Sequence, residues 1–413
     1  MALVIVLSVV LAAVLVLRAR VARAVERAAE KGGEPTLTAK EQRLIAKDEA
    51  RRLKYYSASQ WTLVWWRFRR HRAAMAASVV LGLMFLGGLF AEFVAPYGPT
   101  TRDTAYLDGA PQIPQFCDQN GCSWRPFIHG VKTERDPVTL RAIAVPDPET
   151  RLYVHLFVEG EPVELLGFIP ITTHLFGVEG GMLHLWGTDS IGRDVFSRTL
   201  YATWTSLSIG ILGVLISFVL ALVIGGIAGY FGGVIDMVIQ RVTEVVRVIP
   251  IIPLYMGLAA AMPKEWSTTQ VYFAMTVILG LFGWPTLARR VRSQLLSIRD
   301  EDYVVAARLA GARPRSIIAR HMLPSFTSFI IVDLVISFPY MILSETALSF
   351  VGLGLRPPAV SWGVLLQEAQ SIRVLEQTPW LLIPALFVVV AVLAFTVIGD
   401  GLRDAADPYA SSR

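Results

Sequence analysis

Long unbroken apolar stretches alternate along this chain with short segments that hold nearly all of its charge. A window of about 20 apolar residues is what a helix needs to cross a bilayer. Such windows predict spans over Ala73–Val94, Trp204–Ala228, Val238–Ala260, Val271–Leu287, Phe326–Leu343 and Leu381–Ile398, and a further apolar run, Ala2–Leu17, opens the chain. Between the fourth and fifth windows the pattern changes. Over Asp302–Pro324, Tyr303, Ala306, Ala307 and Ala310 fall at i, i+3, i+4 and i+7, one face of a short helix. Gly311 stands where a helix end favours positive φ, and Pro314 suits the first turn of a second helix. There Ile317, Ile318 and Met322 make an apolar stripe beside Arg313, Arg315 and Arg320. A third pattern lies between the first two spans. Leu152, Val154, Leu156 and Val158 alternate with Tyr153, His155 and Phe157, which predicts a small β-rich domain with turns at Pro146–Thr150 and Glu159–Gly160.

Composition agrees with the windows. The 413 residues are 54% hydrophobic, and the mean hydropathy of +0.52 belongs to a polytopic membrane protein. Charge then sets an orientation. Arg18–Arg72 carries fifteen Lys and Arg against six Asp and Glu, and Ala288–Met322 carries eight Arg against three acids. Ala95–Ala202 reverses the balance, with eight basic and thirteen acidic residues. The positive-inside rule places the first two segments in the cytoplasm and the third outside. Alternate crossing of the six windows gives the same placement, with a cytoplasmic C-terminus. The net charge of +5 therefore reflects topology, and no nucleic-acid partner is implied. Residues 1–17 lack the basic start of a cleaved signal, and Arg18, Arg20 and Arg23 follow them, so an N-outside anchor is expected. A start-site extension without a role is the other reading. Trp61, Trp65 and Trp66 before Arg67, Arg69, Arg70 and Arg72 read as an amphipathic elbow on the membrane surface, or as a plain topology anchor.

Candidate chemistry is sparse. Cys117 and Cys122 are the chain's two cysteines and flank the turn sequence Asp118-Gln119-Asn120-Gly121. Outside the cytoplasm such a pair is expected to close one disulfide, since a structural zinc would need a second pair. His184-Leu185-Trp186-Gly187-Thr188-Asp189, Gly192-Arg193-Asp194 and Ser197-Arg198 form a polar lead-in whose charges can pair locally. Gly225, Gly226, Gly229, Gly232 and Gly233 allow close helix packing. None of the six Lys follows a Gly, so no phosphate-binding loop is present, and neither a His-Glu-x-x-His nor a Gly-x-Ser-x-Gly pattern occurs. The chain reads as no enzyme and as binding no cofactor. If ATP drives it, separate subunits bind that ATP. Asp333 lies inside the fifth window, where an acid must face water or a protein interior. It either lines a translocation path or hydrogen-bonds a partner subunit. Glu345, just beyond that window, shares these two readings.

The Asp302–Pro324 segment also resembles the coupling motif of ABC importer permeases, in which Glu-Ala-Ala, a Gly and a Leu-Pro recur at fixed spacing. Val305-Ala306-Ala307, Gly311 and Leu323-Pro324 stand in that register, with Val305 in place of the Glu. His321 replaces an Ile, as in the dipeptide, oligopeptide and nickel branch of the family. The lead-in from His184, the Leu353-Gly354, Pro357-Pro358 and Ser361-Trp362-Gly363 stretch, and the ending Gly399–Asp404 with Asp407-Pro408 are similar to that branch too. The resemblance implies an all-α polytopic fold, a six-span type I importer permease with the N-terminal anchor and the small β-rich external domain added. It implies half of a translocation pore in the inner membrane, completed by a second homologous permease. Two cytoplasmic ABC ATPases and an external solute-binding protein would complete an importer of peptides or similar small solutes. Ala306, Ala307, Arg308, Gly311, Arg315, Arg320, Leu323 and Pro324 would couple to the ATPase. The organisation expected is an anchor over 1–17, a charged cytoplasmic segment with elbow over 18–72 and a first span over 73–94. An external domain with lead-in over 95–203, a core over 204–400 with its coupling loop at 288–323, and a tail over 401–413 follow. A secondary transporter or membrane scaffold without an ATPase is the rival class.

Overall fold

The computed structural model describes residues 60–119, 121–135, 142–263 and 265–407. The expected anchor at 1–17 and the charged segment after it, up to residue 59, lie outside these. Contacts divide the chain after Trp66. Before that point the described residues form the start of helix α1 (Gln60–Phe68), with Trp61 and Trp65 exposed. Beyond it, a break at His71 separates α1 from the first apolar helix, α2 (Arg72–Leu89), whose N-terminus is capped by the His71 ring on Ala74 N at 3.0 Å. A four-residue helix, α3 (Ala91–Val94), follows.

The β-rich domain is a four-stranded antiparallel meander of β1 (Gln115–Asp118), β2 (Gly121–Arg135), β3 (Ala142–Leu165) and β4 (Ile169–Val178), paired in chain order. Cys117 and Cys122 face each other in the β1–β2 register and are disulfide-bonded. The two turns expected within β3 are corrected. The strand runs through Pro146–Thr150 and Glu159–Gly160, which instead form register irregularities opposite His129–Gly130 and ahead of Val163. A bulge absorbs the extra residues that a turn would otherwise take. The sheet is fastened to the end of the first span. His174 sits between Ala95 O at 2.8 Å and Glu161 O at 3.0 Å, and Thr101 donates to the Glu161 carboxylate at 2.6 Å.

The remaining helices are α4 (Val195–Phe231), α5 (Gly233–Val248), α6 (Ile251–Ala260), α7 (Thr268–Ile298), α8 (Asp302–Leu309), α9 (Pro314–Ser316), α10 (Thr327–Phe350), α11 (Trp362–Glu368), α12 (Ile372–Gln377) and α13 (Ile383–Ala406). Among the described residues five helical stretches are long and apolar enough to cross a membrane, beginning at Arg72, Val195, Thr268, Pro314 and Pro379. The third expected span is corrected. It is the bent pair α5–α6, whose axes turn by 78°. Pro250 supplies no N–H and drives Ile249 into extended backbone, so the helix cannot continue. The last helix also runs to Ala406, so the expected tail from residue 401 begins as helix.

Helices α4 and α7 form the central pair, held close by small residues. A Cβ on Gly225 would collide with Ala288 O, and one on Gly229 would lie 2.7 Å from Leu295 Cβ. The chain's two ends are distinct. At the sheet end, Arg193 and Arg198 bind both Asp189 and Glu368, which joins the lead-in to α11. At the other, arginine-rich end, Arg67 donates to Asp407 O at 2.8 Å, and α8 caps the bundle.

A capped helix pair and an acidic cavity in the core

Helix α8 ends in a Schellman cap. Gly311 N donates to Arg308 O at 3.0 Å and Ala312 N to Ala307 O at 3.1 Å, with Gly311 at φ +78°. Arg313 then starts the next turn through its carbonyl, with Pro314 first in α9. This second helix is less regular than expected. It widens into a π-helical turn over Ile317–Met322 and tightens into a 3₁₀ turn over Leu323–Phe326 before α10. Pro324 explains the change, because its ring crowds the carbonyl four residues back and it offers no donor.

One face of the pair is packed and the other is open. Val304, Ile317 and Met322 are fully buried, in one cluster with Ala288, Val291 and Leu295 of α7. Ala307 and Leu323 pack at the edge of that cluster. Ala306, Gly311, Arg315, Arg320 and Pro324 are exposed, as are Tyr303, Ala310, Arg313 and His321. Leu309 is 83% exposed, an apolar side chain standing among arginines. The predicted face Tyr303–Ala306–Ala310 is therefore the outward one. Arg308 folds back with its guanidinium 5.7 Å from the Tyr230 ring.

Deeper in the bundle, α4, α6, α7 and α10 enclose a cavity of about 330 Å³. Asp333 lines it and is 5% exposed. Its carboxylate pairs with Arg290 of α7. Sequence windows missed this partner because they end the fourth span at Leu287, whereas α7 continues to Ile298 and carries Arg290 within the bundle. Asp333 is about 9 Å along α10 from Thr327, slightly nearer that helix's midpoint than its start. A second pair, Asp236 with Arg292, joins α5 to α7.

Glu345 lies elsewhere, and its expected place on a path or subunit surface is corrected. It is fully buried within the helix α10, accepting from Ser349 Oγ at 2.8 Å and Ser206 Oγ at 3.2 Å. Ser206 Oγ also accepts from Trp362 N at 3.1 Å, so the carboxylate ties α4, α10 and α11 together. Glu345 does not line the cavity. At the sheet end His184 is fully buried between Asp194 at 3.0 Å and Asp103 at 3.3 Å, and it stacks on Tyr106 at 5.3 Å. Burial pushes its pKa down, but the two carboxylates outweigh that and raise it. Asp103 is lowered, chiefly by its hydrogen bond to His184.

Two family models match this chain. Residues 221–411 match the binding-protein-dependent transport system inner membrane component, a stretch that includes α8 and the cavity residues of α6, α7 and α10. Residues 59–111 match the N-terminal TM domain of oligopeptide transport permease C. The dipeptide transport system permease protein DppC of Bacillus subtilis is 39% identical over 226 residues, 54% of this chain and 68% of that one. The chain belongs to this permease family. The oligopeptide transport system permease protein OppC of Haemophilus influenzae is 38% identical over 226 residues, 54% of this chain and 70% of its own. Among solved structures, an inward-facing MetNI methionine ABC transporter aligns with 50% of this chain and 96% of its own, at 19% identity and a TM-score of 0.41. The permease is a multi-pass inner-membrane subunit of an ATP-driven importer. Neither family model covers residues 112–220, which include the sheet.

Proposed function

We propose that this permease imports short peptides, or solutes of similar size, as one half of a pore, and that it takes its power from ATPases docked on α8 and the turn after it. The observation that carries the reading is the two-sided helix pair at the arginine-rich end. Its inner face is locked into the bundle through Val304, Ile317 and Met322, and its outer face presents Ala306, Ala310 and Gly311 beside Arg313, Arg315 and Arg320. Such an element passes on a displacement as a rigid body, because buried apolar packing resists compression. Small outward residues let a partner approach closely. Transport activity in the relatives' names, for dipeptides and oligopeptides, supports peptides as cargo.

In this reading the arginine-rich end and the C-terminus face the cytoplasm, following the positive-inside rule. The sheet faces outward, where a solute-binding protein delivers cargo. A second, related permease completes the pore. ATP is bound and hydrolysed by two separate subunits, and this chain holds no cofactor and performs no chemistry. ATPase closure pushes on α8, the α7 and α10 ends move with it, and the access of the core cavity alternates. The test is uptake of labelled dialanine into vesicles holding the purified importer. Uptake that needs ATP and the co-purified ATPase is expected. Uptake unchanged without ATP refutes the reading.

A further inference from the structure

We infer that Asp333 is a recognition point for a primary ammonium group on the transported solute, such as the free N-terminus of a peptide. This deepens the peptide reading and rests on it. Arg290 occupies one Asp333 oxygen, while the other, Oδ2, is buried and meets no hydrogen-bond partner among the described residues. A carboxylate left half-satisfied inside a membrane bundle calls for a donor, and the cavity in front of it, about 330 Å³, is of a size that takes a small ligand.

The hydroxyls of the cavity lining select the kind of donor. Ser217 donates to Gly280 O at 2.6 Å, Ser337 to Asp333 O at 2.8 Å and Ser344 to Tyr340 O at 2.8 Å. Tyr255 donates to Leu279 O at 3.3 Å. Each proton is already committed to a backbone carbonyl, so these groups offer the cavity only lone pairs. Thr286 and Tyr340 also bring hydroxyls to the cavity; apart from these and Arg290, the polar lining offers acceptors. An ammonium brings three N–H donors and one positive charge, and matches such a lining. A metal cation does not, because no cluster of three His, Cys, Asp or Glu that could hold one occurs among the described residues.

The experiment uses the complete importer in vesicles, with labelled dialanine and N-acetyl-dialanine as probes. Each variant is compared with the unsubstituted chain on the same probe, so any preference of the binding protein cancels. Asp333→Asn is expected to lower dialanine uptake at least tenfold, the scale of one hydrogen bond to a charged group. N-acetyl-dialanine uptake and the ATPase rate should change less than twofold. Asp333→Glu should retain most dialanine uptake, and Arg290→Gln should retain it too, since the carboxylate remains. If N-acetyl-dialanine flux is too small to normalise, the Glu rescue and the ATPase rate decide. A purely structural ion pair predicts the opposite: both probes fall together, and Arg290→Gln does the same damage as Asp333→Asn. That result, or unchanged dialanine uptake in Asp333→Asn, overturns the assignment. An unsubstituted importer that moves neither probe refutes the peptide reading itself, and this assignment with it.

Discussion

Replacing Gly311 with Ala isolates the backbone of the coupling turn from its surroundings. A Cβ at this position meets no atom within 4 Å, so the substitution makes no clash and removes no packing. What remains is conformational. Gly311 holds φ at +78°, a region that costs an L-residue about 1–2 kcal/mol. The strain can be relieved only by opening the cap, which gives up the bonds from Gly311 N to Arg308 O and from Ala312 N to Ala307 O. Exposed bonds of this kind contribute about 0.5–1.5 kcal/mol each. The penalty and the cap are therefore of similar size, and the turn in the Ala variant competes with an opened form. A shift of that size is about a factor of 5–30 in population. The assay is ATP-driven dialanine uptake, with the amount of membrane-inserted protein measured alongside. Gly311→Ala should insert normally and, with capped and opened turns near equal, transport about twofold less or lower. Gly311→Asn should recover most of the loss, since Asn enters the left-handed region more readily. Normal transport in the Ala variant, or an Asn variant worse than Ala, would refute the reasoning.

Other consequences are as direct. His184 has a raised pKa, so its contribution to stability is full below its unfolded value, near 6.5, and is lost as pH rises through the higher folded value. Asp103, lowered by the same bond, contributes above its unfolded value and loses that only in acid. Thermal unfolding in detergent should therefore rise from pH 8.5 to pH 6, and His184→Gln should flatten that rise; an unaltered slope rules the triad out. Glu345→Ala leaves the Ser206 and Ser349 hydroxyls without their acceptor in a dry site, at about 1–3 kcal/mol for each unpaired group. A lower unfolding temperature is expected, whereas Asp333→Asn should shift it less. Gly225→Ala forces a Cβ into Ala288 O and should deplete folded protein in the membrane, as read by fluorescence-detected size-exclusion chromatography; normal yield would show that α4 and α7 can part there.

The sequence and the structure agree best where a residue has one conformational reason to be present. Gly311 and Pro314 are of this kind: positive φ and a missing N–H each suit one position in a helix–turn–helix. Cys117 and Cys122 were legible for a similar reason, as thiols across a tight hairpin. Hydropathy windows failed where charge and apolar length overlap. Arg290 sits in a run of three arginines that reads as loop, yet α7 carries it alongside the cavity because Asp333 compensates its charge. The same windows passed over Pro250, which bends a stretch of ample apolar length by 78°. In β3, Pro146 and Glu159–Gly160 look like turns, but pairing on both sides holds the strand together through them. Glu345 reads as a path or subunit-interface acid for want of any local sign that Ser206, 139 residues away in sequence, would meet it. Long-range pairing of this sort leaves no periodic trace.

The central claim is that the capped pair at α8 lies beneath the membrane, where ATPases can reach it. Both native cysteines are locked in the Cys117–Cys122 disulfide. Arg313→Cys therefore introduces a single free thiol, on an exposed residue beside the Gly311 turn. A membrane-impermeant maleimide should leave this thiol unmodified in intact cells and label it in inside-out vesicles, with less labelling when the ATPase is bound. Prompt labelling in intact cells would contradict the account.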